Sequence, residues 1–331
     1  MTTLAPRASV TLGNERFDTH VFRLEVTLTM LPGVSAFQAF FPSEVAIEAA
    51  AGDDAALDLD GGEGSERVLT GTIRSIRRGV AQTVVTVADP SAVLASLRPA
   101  TTYRNQDANA VIRALASDAE VTVATSEVEL PMAAYVAHQR RTAAEHIADL
   151  AALLGAYGRM NGDGELEVSR PSAADVALRY GRELLTYDAS ESVAPTAKRI
   201  RTGSGPAGSA TAPDALRPAK KPLPGGAAEP GVDAIWTPAA VLRTPGAAAS
   251  ASEAADVAAA AGVTRLRATA YLVPSLRPGS VVEVQELPDG LPAVPWLLTR
   301  VMHVIDVREG GRTRFVAESA SDSGAGLGGL P

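Results

Sequence analysis

The chain of 331 residues contains no cysteine. That absence excludes disulfide staples, thiolate nucleophiles and cysteine-ligated metal, and it suits assembly in a reducing compartment. Aromatic residues make up only 4% of the chain, a thin supply for a sugar-lined cleft that needs stacking faces. Trp236 and Trp296, the two tryptophans, read as packing anchors rather than ligand platforms. No basic run occurs and the formal net charge is −8; nucleic-acid affinity rests on clustered Lys and Arg, so no direct nucleic-acid binding is expected. No apolar run is long enough to cross a bilayer, and membrane insertion is not expected. The opening "MTTLAPRASVTLGNERFDTH" lacks the charged start and apolar core of a secretory signal.

What remains is a chain with 46% hydrophobic residues, enough to bury a core in each of two or three domains. From Ser9 to about Ala95 the pattern is strand after strand. In "VFRLEVTLTM", Phe22, Leu24, Val26, Leu28 and Met30 alternate with Arg23, Glu25, Thr27 and Thr29, the period of a half-buried strand. "AIEAA" reads as a further short strand, and "GDDAALDLDGGEGSE" as an exposed acidic loop, solvated rather than cation-binding.

The middle of the chain changes period. "NQDANAVIRALASDA" predicts a helix with Asn105 as its cap, and Thr142 with Glu145 forms a capping box for a second helix that Gly155 stops. "RMNGDGELEV" reads as a hairpin around an Asn-Gly-Asp-Gly turn. After Pro171 strands return in "DVALRYG" and "AKRIRTGSG", and a stretch rich in Ala, Pro and Gly reads as a long loop. A short Ala-rich helix capped by Ser250 and stopped by Gly262 precedes "VPSLRPGSVVEV", "WLLTRVMHVIDV" and "RTRFVAES", which predict a three-stranded meander forming one wall of a barrel.

The chemistry-bearing patterns are weak. "GSGPAG" from Gly203 has the spacing of a dinucleotide loop, but the prolines that follow forbid the helix that would receive a pyrophosphate. Asn161, Asp163 and Glu165 resemble the start of a calcium loop, yet Leu166 stands where its glycine is needed, and a hairpin turn explains them better. His20, His138, His146 and His303 are scattered without ligand spacing. No catalytic, cofactor or metal residue is assigned, and no enzymatic activity is expected.

The order of segments resembles the hub proteins of contractile tails: phage late control D proteins, the hub part of the valine-glycine repeat G spike proteins of type VI secretion, and hubs of extracellular contractile injection systems. The resemblance is carried by "LTGTIRSIRRG" with "TVVTVADPSAVLASL", by "TYRNQDANAVIRALASDAEV", and by "TAAEHIADLAALLGAYGRMNGDGELEV". Near the end "AADVAAAAGVTRLRATAYLVPSLRPGSVVEV" and "LLTRVMHVIDVREGGRTRFVAES" complete it, with His303 near the final strand.

The resemblance implies a mainly β chain in which two similar tube-forming β-barrel domains flank a small α+β unit. Residues 1–97 would form the first tube domain, 98–172 the α+β unit, and 173–320 the second tube domain with its loop at 203–232, leaving 321–331 as a flexible tail. It also implies a homotrimer assembled in the bacterial cytoplasm, with an inner tube protein, a spike on a separate polypeptide and baseplate wedge proteins as partners. The strand edges at Phe22, Leu24, Val26 and Leu28, and at Val281, Val282 and Val284, are the expected ring contacts. Two other readings are a hub of a noncontractile tail and a tail-associated cell-wall hydrolase, for which Glu145, Asp149, Asp163 and Glu165 are the dense supply of acids.

Overall fold

The computed structural model describes residues 6–171, 176–203, 223–227, 231–288 and 295–320. The first region contains β1 (Arg7–Leu12), β2 (Glu15–Phe17), β3 (Arg23–Thr29), β4 (Ala36–Pro42), β5 (Asp54–Asp60), β6 (Ser65–Arg78) and β7 (Gln82–Ala88), then the short helix α1 (Ser91–Ser96). The middle adds β8 (Thr101–Asp107), α2 (Ala108–Asp118), β9 (Val123–Ser126), β10 (Pro131–Ala137), α3 (Ala143–Ala152), β11 (Tyr157–Met160) and β12 (Leu166–Ser169). The last region holds β13 (Val176–Arg179), β14 (Leu184–Glu191), β15 (Lys198–Gly203), β16 (Leu223–Pro224), β17 (Ala234–Pro238), α4 (Pro245–Ala261), β18 (Thr264–Tyr271), β19 (Val281–Gln285), β20 (Trp296–Asp306) and β21 (Gly310–Ser319).

The protein is mainly β, and its largest feature is one sheet of thirteen strands in the order β14-β18-β21-β20-β3-β4-β7-β6-β5-β1-β2, with β19 paired to β20 and β13 to β19. The two β regions expected as separate barrels are therefore joined edge to edge, and no closed barrel is formed among the described residues. The joint is the antiparallel pair β20–β3, running from Arg300 opposite Thr29 to Asp306 opposite Arg23. Both regions feed one hydrophobic core, in which Leu24, Val26, Phe37 and Phe41 share a buried layer with Leu266, Trp296, Val301 and Phe315. Each such side chain contributes roughly 1.5–3 kcal/mol on burial.

A duplication runs through this sheet. In chain order β14, β18, β20 and β21 lie as β14-β18-β21-β20, and β3, β4, β6 and β7 lie as β3-β4-β7-β6. Both β20–β21 and β6–β7 carry a register shift, between Leu298 and Arg300 in one and Ile73 and Ser75 in the other. Just before each shift the backbone is tied in the same way. Gly279 N–H donates to the Leu298 carbonyl and Leu298 N–H to that of Ser280, just as Gly52 donates to Ile73 and Ile73 to Asp53. Gly52 and Gly279 both have positive φ, 100° and 82°, which only glycine adopts freely. Gly279 thus confirms the Pro-Gly turn predicted from the sequence.

The α+β unit has a second core, built by Val111, Ile112 and Leu115 of α2, Ile147 and Leu150 of α3, and Leu166 and Val168 of β12. The capping box holds: Thr142 N–H donates to Glu145 Oε2 at 2.7 Å, and Glu145 N–H returns to Thr142 Oγ1 at 3.2 Å. The Asn-Gly-Asp-Gly hairpin forms as β11–β12. From the last region α4 joins this core through Ala248 and Ala251, and it also packs on β15, where Ser252 Oγ accepts from Arg201 N–H at 2.8 Å.

Several local expectations are corrected. The acidic stretch from Gly52 is not a loop but holds β5, because Ala55, Leu57 and Leu59 alternate with polar residues and are buried. "AIEAA" forms no strand. Asp107, not Asn105, caps α2, with its Oδ1 accepting from Ala110 N–H at 2.7 Å. Helix α4 starts five residues earlier than Ser250, with Thr244 as its cap and Pro245 at its first position, where a missing N–H costs nothing. Strand β14, whose polar sequence hides its alternation, escapes the sequence reading. The residues after Gly203 in "GSGPAG", most of the 203–232 stretch and the 321–331 tail lie outside the described residues.

Candidate functional site

Of the acids that a hydrolase would need, Glu145, Asp149 and Glu165 have their carboxylates occupied locally. Glu145 closes the α3 capping box, and the Thr142 backbone N–H bonded to it lowers its pKa. Asp149 is ion-paired with Arg141. Glu165 Oε2 accepts from Asn161 Nδ2 at 3.1 Å, and Asn161 Oδ1 accepts from Asp163 N–H at 3.0 Å and Glu165 N–H at 2.9 Å. These bonds shape a helix start and a hairpin turn, and none of them brings the α3 pair against the hairpin pair.

Two histidine networks are buried. His146 Nε2–H donates to the His138 carbonyl at 3.1 Å, so its Nδ1 accepts from the Tyr135 hydroxyl at 2.7 Å. Burial lowers the His146 pKa and raises that of Tyr135. In the sheet, Thr313 Oγ1 accepts from Val273 N–H and is hydrogen-bonded to His303 Nδ1, both at 2.9 Å. His303 is fully buried, and that burial, aided by the Arg277 charge, pushes its pKa down to about 3. Among the described residues no cluster of three or more His, Asp and Glu is placed to hold a metal.

The expected ring contacts lie inside the sheet. Leu24, Val26 and Leu28 are buried on β3, whose two edges are filled by β20 and β4. Phe22 sits just before that strand, its ring 6.3 Å from that of Phe40. Val281 and Val282 are buried on β19, and Val284 pairs with Leu178; β13 and β20 flank this strand. At Leu24, Val26 and Val282 both backbone edges are taken up by pairing within the chain.

Among the described residues, two other edges lack a backbone partner. The first part of β6, Ser65–Thr72, pairs with β5, while its last part pairs only with β7. Arg74, Ser75, Arg77 and Arg78 are exposed or half-exposed there and Ile76 is half-buried. At the other end of the sheet β14 pairs with β18 alone, and from Thr186 to Glu191 its residues alternate between exposed and half-buried before ending exposed. Unpaired edges of this kind are templates for main-chain pairing.

The solvent face of the last region carries charge that the linear sequence hides. Arg265 and Arg267 on β18, Arg312 and Arg314 on β21, and Arg300 on β20 occupy neighbouring positions on one face. A shallow groove crosses it, lined by Tyr187, Asp188, Arg267, Arg300 and Arg314. Glu318 offsets part of this charge through an ion pair with Arg265 at 3.3 Å.

The sequence matches no protein-family model and no curated protein. The fold, in contrast, is shared with solved tail proteins over nearly the whole chain. The 43 kDa tail protein of prophage MuSo2 from Shewanella oneidensis superposes with a TM-score of 0.70 at 16% identity, covering 95% of this chain and 98% of that one. A tail protein from Neisseria meningitidis MC58 gives 0.72 at 14% identity, covering 95% and 97%. An Escherichia coli type VI secretion component, described as similar in structure to the T4 tail proteins gp27 and gp5, gives 0.63 at 13% identity, covering 95% and 77%.

Proposed function

We propose that this chain is the baseplate hub of a contractile tail or injection system, a trimeric adaptor joining a hexameric inner tube to a trimeric spike protein. The observation that carries the reading is the duplication. One chain presents two sheet modules with the same strand order, the same register shift and the same glycine turn. Three copies in a ring then present six near-equivalent modules to a tube of six subunits while keeping the threefold symmetry of a spike. The fold shared with phage tail proteins and a type VI component supports the same reading.

Function here is symmetry matching and force transmission, without a reaction. The tube, the spike and the baseplate wedge proteins are the partners. Assembly in the bacterial cytoplasm fits a chain free of cysteine. If the arginine face of the last region lines the ring, the passage is locally cationic there.

The test is the mass of the purified protein by light scattering, alone and mixed with its tube and spike proteins. A trimer, or one that forms on adding the spike, is the expected result. A chain that stays monomeric with both partners present overturns the proposal.

A further inference from the structure

We propose that the arginine-lined groove on the solvent face of the last region binds an acidic peptide segment of a partner protein, held by Arg267, Arg300 and Arg314. The site lies within one chain, so it goes beyond the hub reading, and its occupancy does not depend on how many copies assemble.

Strand pairing builds the site. Arg267 on β18 and Arg300 on β20 lie opposite Val316 of β21 from its two sides, and Arg314 stands two residues along β21, opposite Thr269 and Met302. All three arginines are exposed. With neighbouring strands about 4.8 Å apart, Arg267 and Arg300 are roughly 9.6 Å from each other across the sheet, and Arg314 is diagonal to both. The groove they line holds about 450 Å³. Val316 and Met302 give it an apolar floor, and Thr186 faces Thr269 at one end.

Three like charges at diagonal positions are within reach of one another and repel. Nothing in the sheet relieves them. Arg265 has Glu318 at 3.3 Å, but Arg267, Arg300 and Arg314 enter no ion pair or side-chain hydrogen bond among the described residues. Asp188 is directly opposite Arg267 on β14 and forms no ion pair with it.

The fold does not require these arginines. Ile73 opposite Val87 and Leu298 opposite Ala317 each sit immediately before the register shift, so Ser75, Ile76, Arg77 and Arg78 correspond to Arg300, Val301, Met302 and His303. Val87 faces Phe37 as Ala317 faces Leu266, so Val84 corresponds to Arg314 and Gln38 to Arg267. One module thus carries Gln38, Ser75 and Val84 where the other, on the same backbone plan, carries three cations. An anion laid in the groove supplies the missing counter-charge.

Two observations favour a peptide over a nucleic acid as that anion. The aromatic residues lining the groove pack on the core side: Phe315 is buried, and Tyr187 is half-buried with its ring edge to face on Tyr180 at 5.2 Å. No ring face is therefore open to stack a base. Acids also border the cations, with Asp188 at one end of the groove and Asp306 and Glu318 further along the same face. A backbone charged at every residue meets them, whereas a peptide sets carboxylates over the arginines and neutral residues over the acids. The span between Arg267 and Arg300 is close to the three-residue repeat, about 9.3 Å, of a polyproline II segment, so glutamates three apart reach both.

The test uses the full-length protein, in the oligomer it forms, and a dye-labelled peptide Glu-Pro-Pro-Glu-Pro-Pro-Glu, read by fluorescence anisotropy at low salt. The peptide should bind, and its counterpart with glutamine in place of glutamate should bind at least about tenfold more weakly. Arg267→Gln, Arg300→Gln and Arg314→Gln combined should weaken binding about 30-fold, about threefold for each exposed pair. Removing as many charges elsewhere, by Arg74→Gln, Arg140→Gln and Arg182→Gln, should change it less than about twofold, because distant charges are screened.

A peptide that does not bind, or equal losses in the two triple variants, overturns the site. A thymidine tetranucleotide with the same number of charges, binding as tightly as the peptide, overturns the choice of peptide and favours a phosphate backbone. A benzophenone on the peptide gives a readout on the parent protein that no folding defect can disturb. Its cross-links should fall on β14, β18, β20 and β21, and cross-links confined to other elements overturn the placement.

Discussion

At the start of β20 stands Trp296, a fully buried side chain. The matching position in the other module, one residue before Thr72 opposite Ala88, is Gly71, where a Cβ would fall 2.1 Å from the Ala88 carbonyl oxygen. His303 is hydrogen-bonded to Thr313 across its strand pair, while its counterpart Arg78 faces Thr83 and turns its guanidinium to the Ile47 carbonyl. The two modules thus repeat a backbone plan with side chains of quite different size and polarity. What repeats is the set of places where main-chain donors and acceptors must be satisfied; the filling can be exchanged because volume can be redistributed among neighbours.

That contrast can be broken most severely at Trp296. Trp296→Ala should cost about 3–5 kcal/mol in urea unfolding, because the first module has no equivalent bulk to compensate. A loss below about 1 kcal/mol would mean that the second module closes over the gap.

Arg277 ties the modules together. Its guanidinium donates to the Val68 and Arg67 carbonyls, both at 2.5 Å, and pairs with Glu66 at 3.5 Å. Arg277→Ala should cost about 2–3 kcal/mol, since charged hydrogen bonds to backbone are lost together. If unfolding stays a single transition, the modules remain one cooperative unit without this tie. Two transitions would show that Arg277 couples them.

Gly71→Ala tests the tight side of the comparison. Here a single methyl should cost about 1–3 kcal/mol by overpacking, measured as a shift of the urea midpoint. An unchanged midpoint would show that β6 and β7 can separate slightly at no penalty.

The smallest effect near neutral pH belongs to His303. Its pKa is lowered in the folded protein to about 3 from the ordinary 6.5, so below pH 6.5 the unfolded chain binds the proton and the folded one does not. Stability should fall as pH drops from about 6.5 towards 3, and His303→Gln should flatten that slope. Asp89 works in the opposite direction: burial raises its pKa from 3.8 to about 6, favouring the folded state as pH falls between those values. The His303 contribution is therefore read as the difference between the two proteins' pH curves.

Local signals were legible wherever a short period or a turn residue decided the structure. The alternation of Leu24, Val26 and Leu28, the Thr142–Glu145 box, the hairpin before Leu166 and the Pro278–Gly279 turn could all be read directly. The β5 strand was masked by aspartates on its wet face, and β14 by the polar residues suited to an edge without a neighbour. The ring contacts are expected on apolar strands, and β3 and β19 each have strand neighbours within the chain. The arginine face escaped notice because its five members come from three strands and never form a run.

The amino-acid order by itself determined the mainly β character, the helical middle, the absence of thiol chemistry and most of the turns, since these depend on residues within a few positions of one another. Only the tertiary structure decided that β3 pairs with β20, that two dissimilar stretches are copies of one module, and which edges stay open. Those facts depend on pairings between residues more than two hundred positions apart, such as Val26 with His303, and a period-two pattern looks the same whichever strand lies beside it.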